Sequence, residues 1–108
     1  MIQLNSKQRK VLEKAAHDLE PVVIVGANGV SAQVEAMVSE QLRQHELIKV
    51  KFNEFKDEKR ELSLQLQETC NATLVRVIGN IAIFYRESEE AENRHFAKAL
   101  SKASKETL

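Results

Sequence analysis

Two glycines three positions apart, in Gly26-Ala27-Asn28-Gly29, are the residues of this chain best placed to do chemistry. They follow the β-branched run Val22-Val23-Ile24-Val25 and precede Ser31, where a helical pattern begins. A strand that meets glycine can turn sharply and bring bare backbone against a ligand. The first N–H groups of the next helix lack intrahelical partners, and its positive dipole end faces the same point. Such an arrangement suits a phosphate. The same glycines would also serve the tight turn of an ordinary βα unit.

Catalytic alternatives find little support. No Lys-Ser or Lys-Thr pair follows the loop, as a Walker loop requires, and the spacing is not the GxGxxG of a dinucleotide fingerprint. Neither a Ser-His-Asp nor a Cys-His arrangement can be argued on geometry. Cys70 is the single cysteine, so no intrachain disulfide forms, and a lone cysteine in a helical pattern reads as a small buried apolar residue. His17 and His45 flank element ends, where capping or packing is the expected role, and nothing has metal-ligand spacing. No cofactor is expected. The chemistry left is non-catalytic binding. In RNA-binding modules of the KH type, a GxxG loop clamps the nucleic-acid backbone.

Charge fits that reading only locally. Sixteen basic and sixteen acidic residues cancel, so any nucleic-acid surface must come from segregation of charge. The first seventeen residues carry Lys7, Arg9, Lys10 and Lys14 against Glu13, while Glu87 to Glu92 holds four glutamates and no base. The four front cations would steer RNA to the loop and touch its backbone, although each would also serve as ordinary solvated surface. Lys49 and Lys51 alternate with Ile48, Val50 and Phe52 and share a strand face. With Arg76 and Arg86 they would extend a basic track, though Arg76 reads at least as well as a solubilising residue on an exposed face. Phe52, Phe55, Phe84 and Tyr85 are few and occupy mostly core-like positions, which argues against an aromatic base-stacking platform.

The elements that must hold these residues follow from local signals. Asn5 with Gln8 forms a capping box for a helix from about 7 to 18, with Val11, Leu12, Ala15, Ala16 and Leu19 as its apolar face and Leu4 placed as a staple. Val22 to Val25 reads as a strand buried on both faces, as in parallel sheet. Ser31 caps a helix to about 44 with Val34, Met37, Val38 and Leu42 inward. A half-buried strand spans 47–52. Asp57 is a candidate cap for a segment, 61–70, whose Leu spacing fits strand or helix and whose Glu, Leu and Gln favour helix. Two β-rich runs, 73–78 and 81–86, flank the turn signal Gly79-Asn80. The order α-β-α-β-α-β-β predicts an α/β domain with a four-stranded mixed sheet, one face better covered than the other. That domain spans 1–87. Residues 88–108 form a charged C-terminal tail in which Phe96, Ala97 and Leu100 support at most a weak helix, with fraying expected at its end. At 108 residues with 43% apolar content one domain is expected, and no apolar run is long enough for a membrane span or a secretion signal, so a cytoplasmic monomer is the default.

Several blocks together resemble the YhbY-like, or CRM-domain, family (chloroplast RNA splicing and ribosome maturation). They are Leu4 to Gln8, Ala16 to Pro21, Val25 to Val30, His45 to Lys51, Val77-Ile78-Gly79 and Tyr85-Arg86. Their order and spacing match the family over residues 4 to 86, and the length resembles its stand-alone bacterial form. The resemblance implies RNA binding through Gly26, Ala27, Asn28, Gly29 and nearby basic surface. It also implies association with precursor large ribosomal subunits, hence large-subunit ribosomal RNA, and a part in their assembly. The alternative is a protein–protein module docking on a ribosomal protein or assembly factor. Salt dependence separates the two, because contacts to Z phosphates of single-stranded RNA give a log–log slope of about −0.7Z.

Overall fold

The computed structural model describes residues 2–104. In chain order the elements are α1 (Ser6–Ala16), β1 (Pro21–Val25), α2 (Ala32–His45), β2 (Leu47–Phe52), α3 (Lys59–Thr69), β3 (Thr73–Ile78), β4 (Ile81–Tyr85) and α4 (Ala97–Ser104). Short 3₁₀ turns at Lys56–Glu58 and Ala91–Asn93 precede α3 and α4. The capping box at α1 forms as the sequence predicts: Asn5 Oδ1 accepts the Gln8 N–H at 2.8 Å, and Gln8 Oε1 accepts the Asn5 N–H at 2.9 Å. Ser31 Oγ caps α2 by accepting the Val34 N–H. The ambiguous segment after residue 60 is helical, starting at Lys59. Asp57 does not cap it: Asp57 lies within the 3₁₀ turn, and Glu58 holds the N-cap position without a side-chain bond.

Four strands form one mixed sheet in the order β1-β2-β4-β3. β1 and β2 run parallel through the α2 crossover, and β4 pairs antiparallel with both β2 and β3. Gly79, at φ +57, supplies the left-handed first position that a tight hairpin turn needs. One face of the sheet packs on α2 and α3 through Val23, Val25, Ile48, Val50, Phe52, Leu74, Ala82 and Phe84, with Val38, Leu42, Leu66 and Cys70 facing them. Burial pushes the Cys70 thiol pKa up, and its Sγ donates to Glu35 O at 3.5 Å, as befits an inert core thiol. The opposite face packs Leu47, Val75, Ile83 and Tyr85 against Leu12 and Ala16 of α1 and Leu100 of α4.

Three expectations about burial fail, two of them because α1 is short. β1 is not buried on both faces, for it is the sheet edge and α1 does not extend over its outer residues: Val22 is 40% and Ile24 54% exposed while Val23 and Val25 are buried. Leu19 lies beyond the end of α1 and is exposed, and Met37 points away from the α2 contact with the sheet. In β3 a bulge between Leu74 and Arg76 puts two successive residues, Val75 and Arg76, opposite Ile83, so the alternation shifts there.

The chain beyond residue 87 packs onto this body. Leu100 and Ala103 of α4 are buried, Gln8 Nε2 donates to Leu100 O, and Phe96 meets Tyr85 edge to face at 6.1 Å. Glu46 organises the approach. It is fully buried between α2 and β2 at φ +64, and its carboxylate accepts the backbone N–H of Ser88 at 2.7 Å and of His95 at 2.5 Å. The end of the predicted tail, 105–108, lies outside the described residues.

Candidate nucleic-acid interface

The loop between β1 and α2 has two unlike halves. Gly26 has open space where a Cβ would sit, and Ala27 and Asn28 are exposed at the tip. Gly29 is buried at φ +67, and its N–H donates to Gly26 O at 3.0 Å, closing the turn. The second glycine is therefore required by backbone conformation, and its amide is engaged within the loop. The loop opens onto the first turn of a fourteen-residue helix. Ser31 takes the Val34 N–H, and the amides before it face the end of the helix where a negative charge is favoured.

Phe55 was not expected here. Its ring lies 3.4 Å from the Cβ that Gly29 would carry, so the aromatic roofs the second glycine while remaining 41% exposed. Its backbone is left-handed, at φ +56, a conformation that is uncommon for a bulky residue. Phe52, Phe84 and Tyr85 are buried as their spacing suggests. Phe55 follows the end of β2 in a charged stretch, and neither period nor composition separates it from the core aromatics.

The predicted cations divide sharply. Lys10 and Lys14 are exposed on α1, and Lys7 is exposed near its start. Arg9 turns inward: its Nη1 donates to Leu74 O and Val75 O at 3.1 and 2.6 Å, serving carbonyls at the β3 bulge. Lys51 is exposed on the α1 side of the sheet, and Lys49 on the same side donates to His17 O at 3.2 Å. Arg76 shares that side and pairs with Glu13 at 2.7 Å. Arg86 does not join the track. It follows Tyr85 onto the opposite face, where its guanidinium donates to Ser39 Oγ, Ser39 O and Cys70 O. Those three bonds tie α2 to the end of α3.

One cation missed in the sequence, Lys102, belongs with the front group. α4 runs alongside α1, and a shallow groove between them is lined by Lys7, Lys10, Val11, Ala99, Lys102 and Ala103. The spacing of Phe96, Leu100 and Ala103 carried the signal, at i, i+4 and i+7, but the acidic stretch before it hid the basic helix. Among the described residues no group of His, Cys, Asp or Glu is placed to hold a metal ion, and no helix is long and apolar enough to cross a membrane.

Fold and loop define a small α/β module whose Gly26–Gly29 turn sits at a helix N-terminus. Residues 4–86 match the CRS1 / YhbY (CRM) domain model, and the chain belongs to that family. It is 42% identical over 94 residues to an RNA-binding protein of Haemophilus influenzae, covering 85% of this chain and 94% of that one. To the probable RNA-binding protein YqeI of Bacillus subtilis it is 34% identical over 88 residues, covering 81% and 92%. A Staphylococcus aureus protein solved in solution superposes with a TM-score of 0.72 at 35% identity, covering 86% of this chain and 98% of that one.

Proposed function

We propose that this chain is a non-catalytic RNA-binding protein of the cytoplasm that associates with precursor large ribosomal subunits and assists their assembly. The observation that carries the binding mode is the exposed Ala27–Asn28 tip, held by a closed Gly26–Gly29 turn at the start of α2. A phosphate there meets backbone amides and the positive end of the helix dipole. Asn28 offers an additional amide side chain. Lys7, Lys10, Lys14, Lys49 and Lys51 supply affinity that depends on salt and not on base sequence. The names of the relatives support RNA as the partner. The ribosomal assignment rests on the family resemblance.

The test is crosslinking of the protein to RNA in cells, followed by sequencing. Enrichment at defined positions of large-subunit ribosomal RNA, lost when Ala27→Asp and Asn28→Asp are combined, is the expected result. Wild-type recovery by that double variant would overturn the clamp. No RNA above background would move the assignment to a protein partner.

A further inference from the structure

The cross-strand register lines up four residues in a row across the open end of the sheet. Ile24 on β1 sits opposite Lys51 on β2, Lys51 opposite Ile81 on β4, and Ile81 opposite Ile78 on β3. All four project to the α1 side, because their neighbours Val25, Val50, Ala82 and Val77 face the other core. α1 does not cover them. Ile24 is 54% and Ile78 50% exposed, Lys51 is exposed and Ile81 half-buried. The row crosses three strand spacings, roughly 14 Å, which is room for about two unpaired bases laid side by side. It starts two residues before Gly26 and ends at the hairpin Gly79-Asn80, so it is continuous with the loop.

Resting on the RNA reading above, we propose that this row is a base-binding shelf, and that the RNA taken up at the loop is unpaired. The backbone enters over Ala27 and Asn28, and the next bases lie on the methyl groups of Ile24, Ile81 and Ile78. Three features select this occupant. The patch is apolar, as base faces require, and its one charged member is a lysine. Lys49 in the next row and Lys14 on α1 keep the cationic character on the same side. A paired stem keeps its base faces stacked inside the duplex, so it has no face to offer such a shelf. Specificity here is for unpaired structure; aliphatic contact does not read base identity.

The test uses the full chain with a ten-nucleotide RNA of mixed sequence, single-stranded or annealed to its complement. Isoleucine δ1-methyl NMR reads the contact directly. Methyls of Ile24, Ile78 and Ile81 move upfield with the single strand, whereas Ile48, buried on the opposite face, stays. Combining Ile24→Ser and Ile78→Ser, both at exposed positions, weakens the single strand about tenfold and leaves the salt slope unchanged. The variant carrying Ala27→Asp and Asn28→Asp is the control for the clamp. If it loses binding while the serine variant binds as wild type, the shelf is overturned and the clamp stands. Duplex bound more tightly than single strand by the wild-type chain also overturns the shelf. If neither RNA binds the wild-type chain, the RNA reading itself falls and the shelf with it.

Discussion

The two ends of α2 stand in contrast, one open to solvent and one closed by a buried carboxylate. At its start, Gly26 has open space around it and the Ala27–Asn28 tip is exposed, while Phe55 roofs Gly29. At its end, Glu46 is fully buried and closes both carboxylate oxygens on the amides of Ser88 and His95. At Glu46 an anion meets backbone N–H groups, and the proposed phosphate site at the loop would do the same. One carries its anion in the chain and gains rigidity. The other carries none, which leaves it suited to an outside phosphate. Each junction also contains a left-handed residue, Gly29 at φ +67 and Glu46 at φ +64. Glycine adopts that conformation freely. A glutamate there carries strain on the order of 1–3 kcal/mol, which its hydrogen bonds must outweigh.

The sharpest way to break the comparison is Glu46→Ala. It strands the buried Ser88 amide and the part-buried His95 amide, each bonded to a charged acceptor, so unfolding in urea should show a loss of about 3–4 kcal/mol. RNA affinity per folded molecule should not change. If that variant loses RNA affinity while still folded, the two ends are not independent. Next comes the double change Ala27→Asp with Asn28→Asp, which puts carboxylates where phosphate should sit. An RNA titration should show a loss of at least ~100-fold, about 2.7 kcal/mol, with an unaltered melting temperature. Gly29→Ala should cost about 1–2 kcal/mol of stability because an L-residue resists that φ. Gly26→Ala, which has ordinary φ and open space, should cost under about 0.5 kcal/mol. Equal losses at the two glycines would contradict the division of labour in the loop. The smallest effect separates exposed lysines from the buried-facing arginines. Lys10→Ala and Lys14→Ala should each lower the salt slope by about 0.7 on single-stranded RNA, whereas Arg86→Met should leave the slope alone and lower the melting temperature.

Features that rest on local chemistry were readable in the sequence. The Asn5–Gln8 capping box, the Ser31 cap, the Gly79-Asn80 hairpin and the alternation from Leu47 to Phe52 need only nearby residues, and all appear where expected. The family blocks added the domain type. What the sequence hid depends on where distant elements come to rest. Val22-Val23-Ile24-Val25 reads as doubly buried because nothing in it records that β1 is an edge that α1 does not cover. Arg9 and Arg86 look like any surface cation until the β3 bulge and the α2–α3 junction present carbonyls to them. Glu46 did leave a trace. α2 and β2 are joined by this one residue, and such a junction usually asks for glycine or asparagine. A glutamate in that place signals a carboxylate with a structural task.

The seam between α1 and α4 has a kinetic consequence. Most contacts of the α2–α3 core join residues between 23 and 84, while the second core needs Leu100 to reach Leu12 and Ala16. The Gln8–Leu100 bond closes a span of 92 residues. Loop closure of that length is entropically expensive until the sheet has already drawn the ends together. The α1–α4 seam should therefore be the last region to gain protection from hydrogen exchange during refolding, and the first to lose it when the native state opens in part.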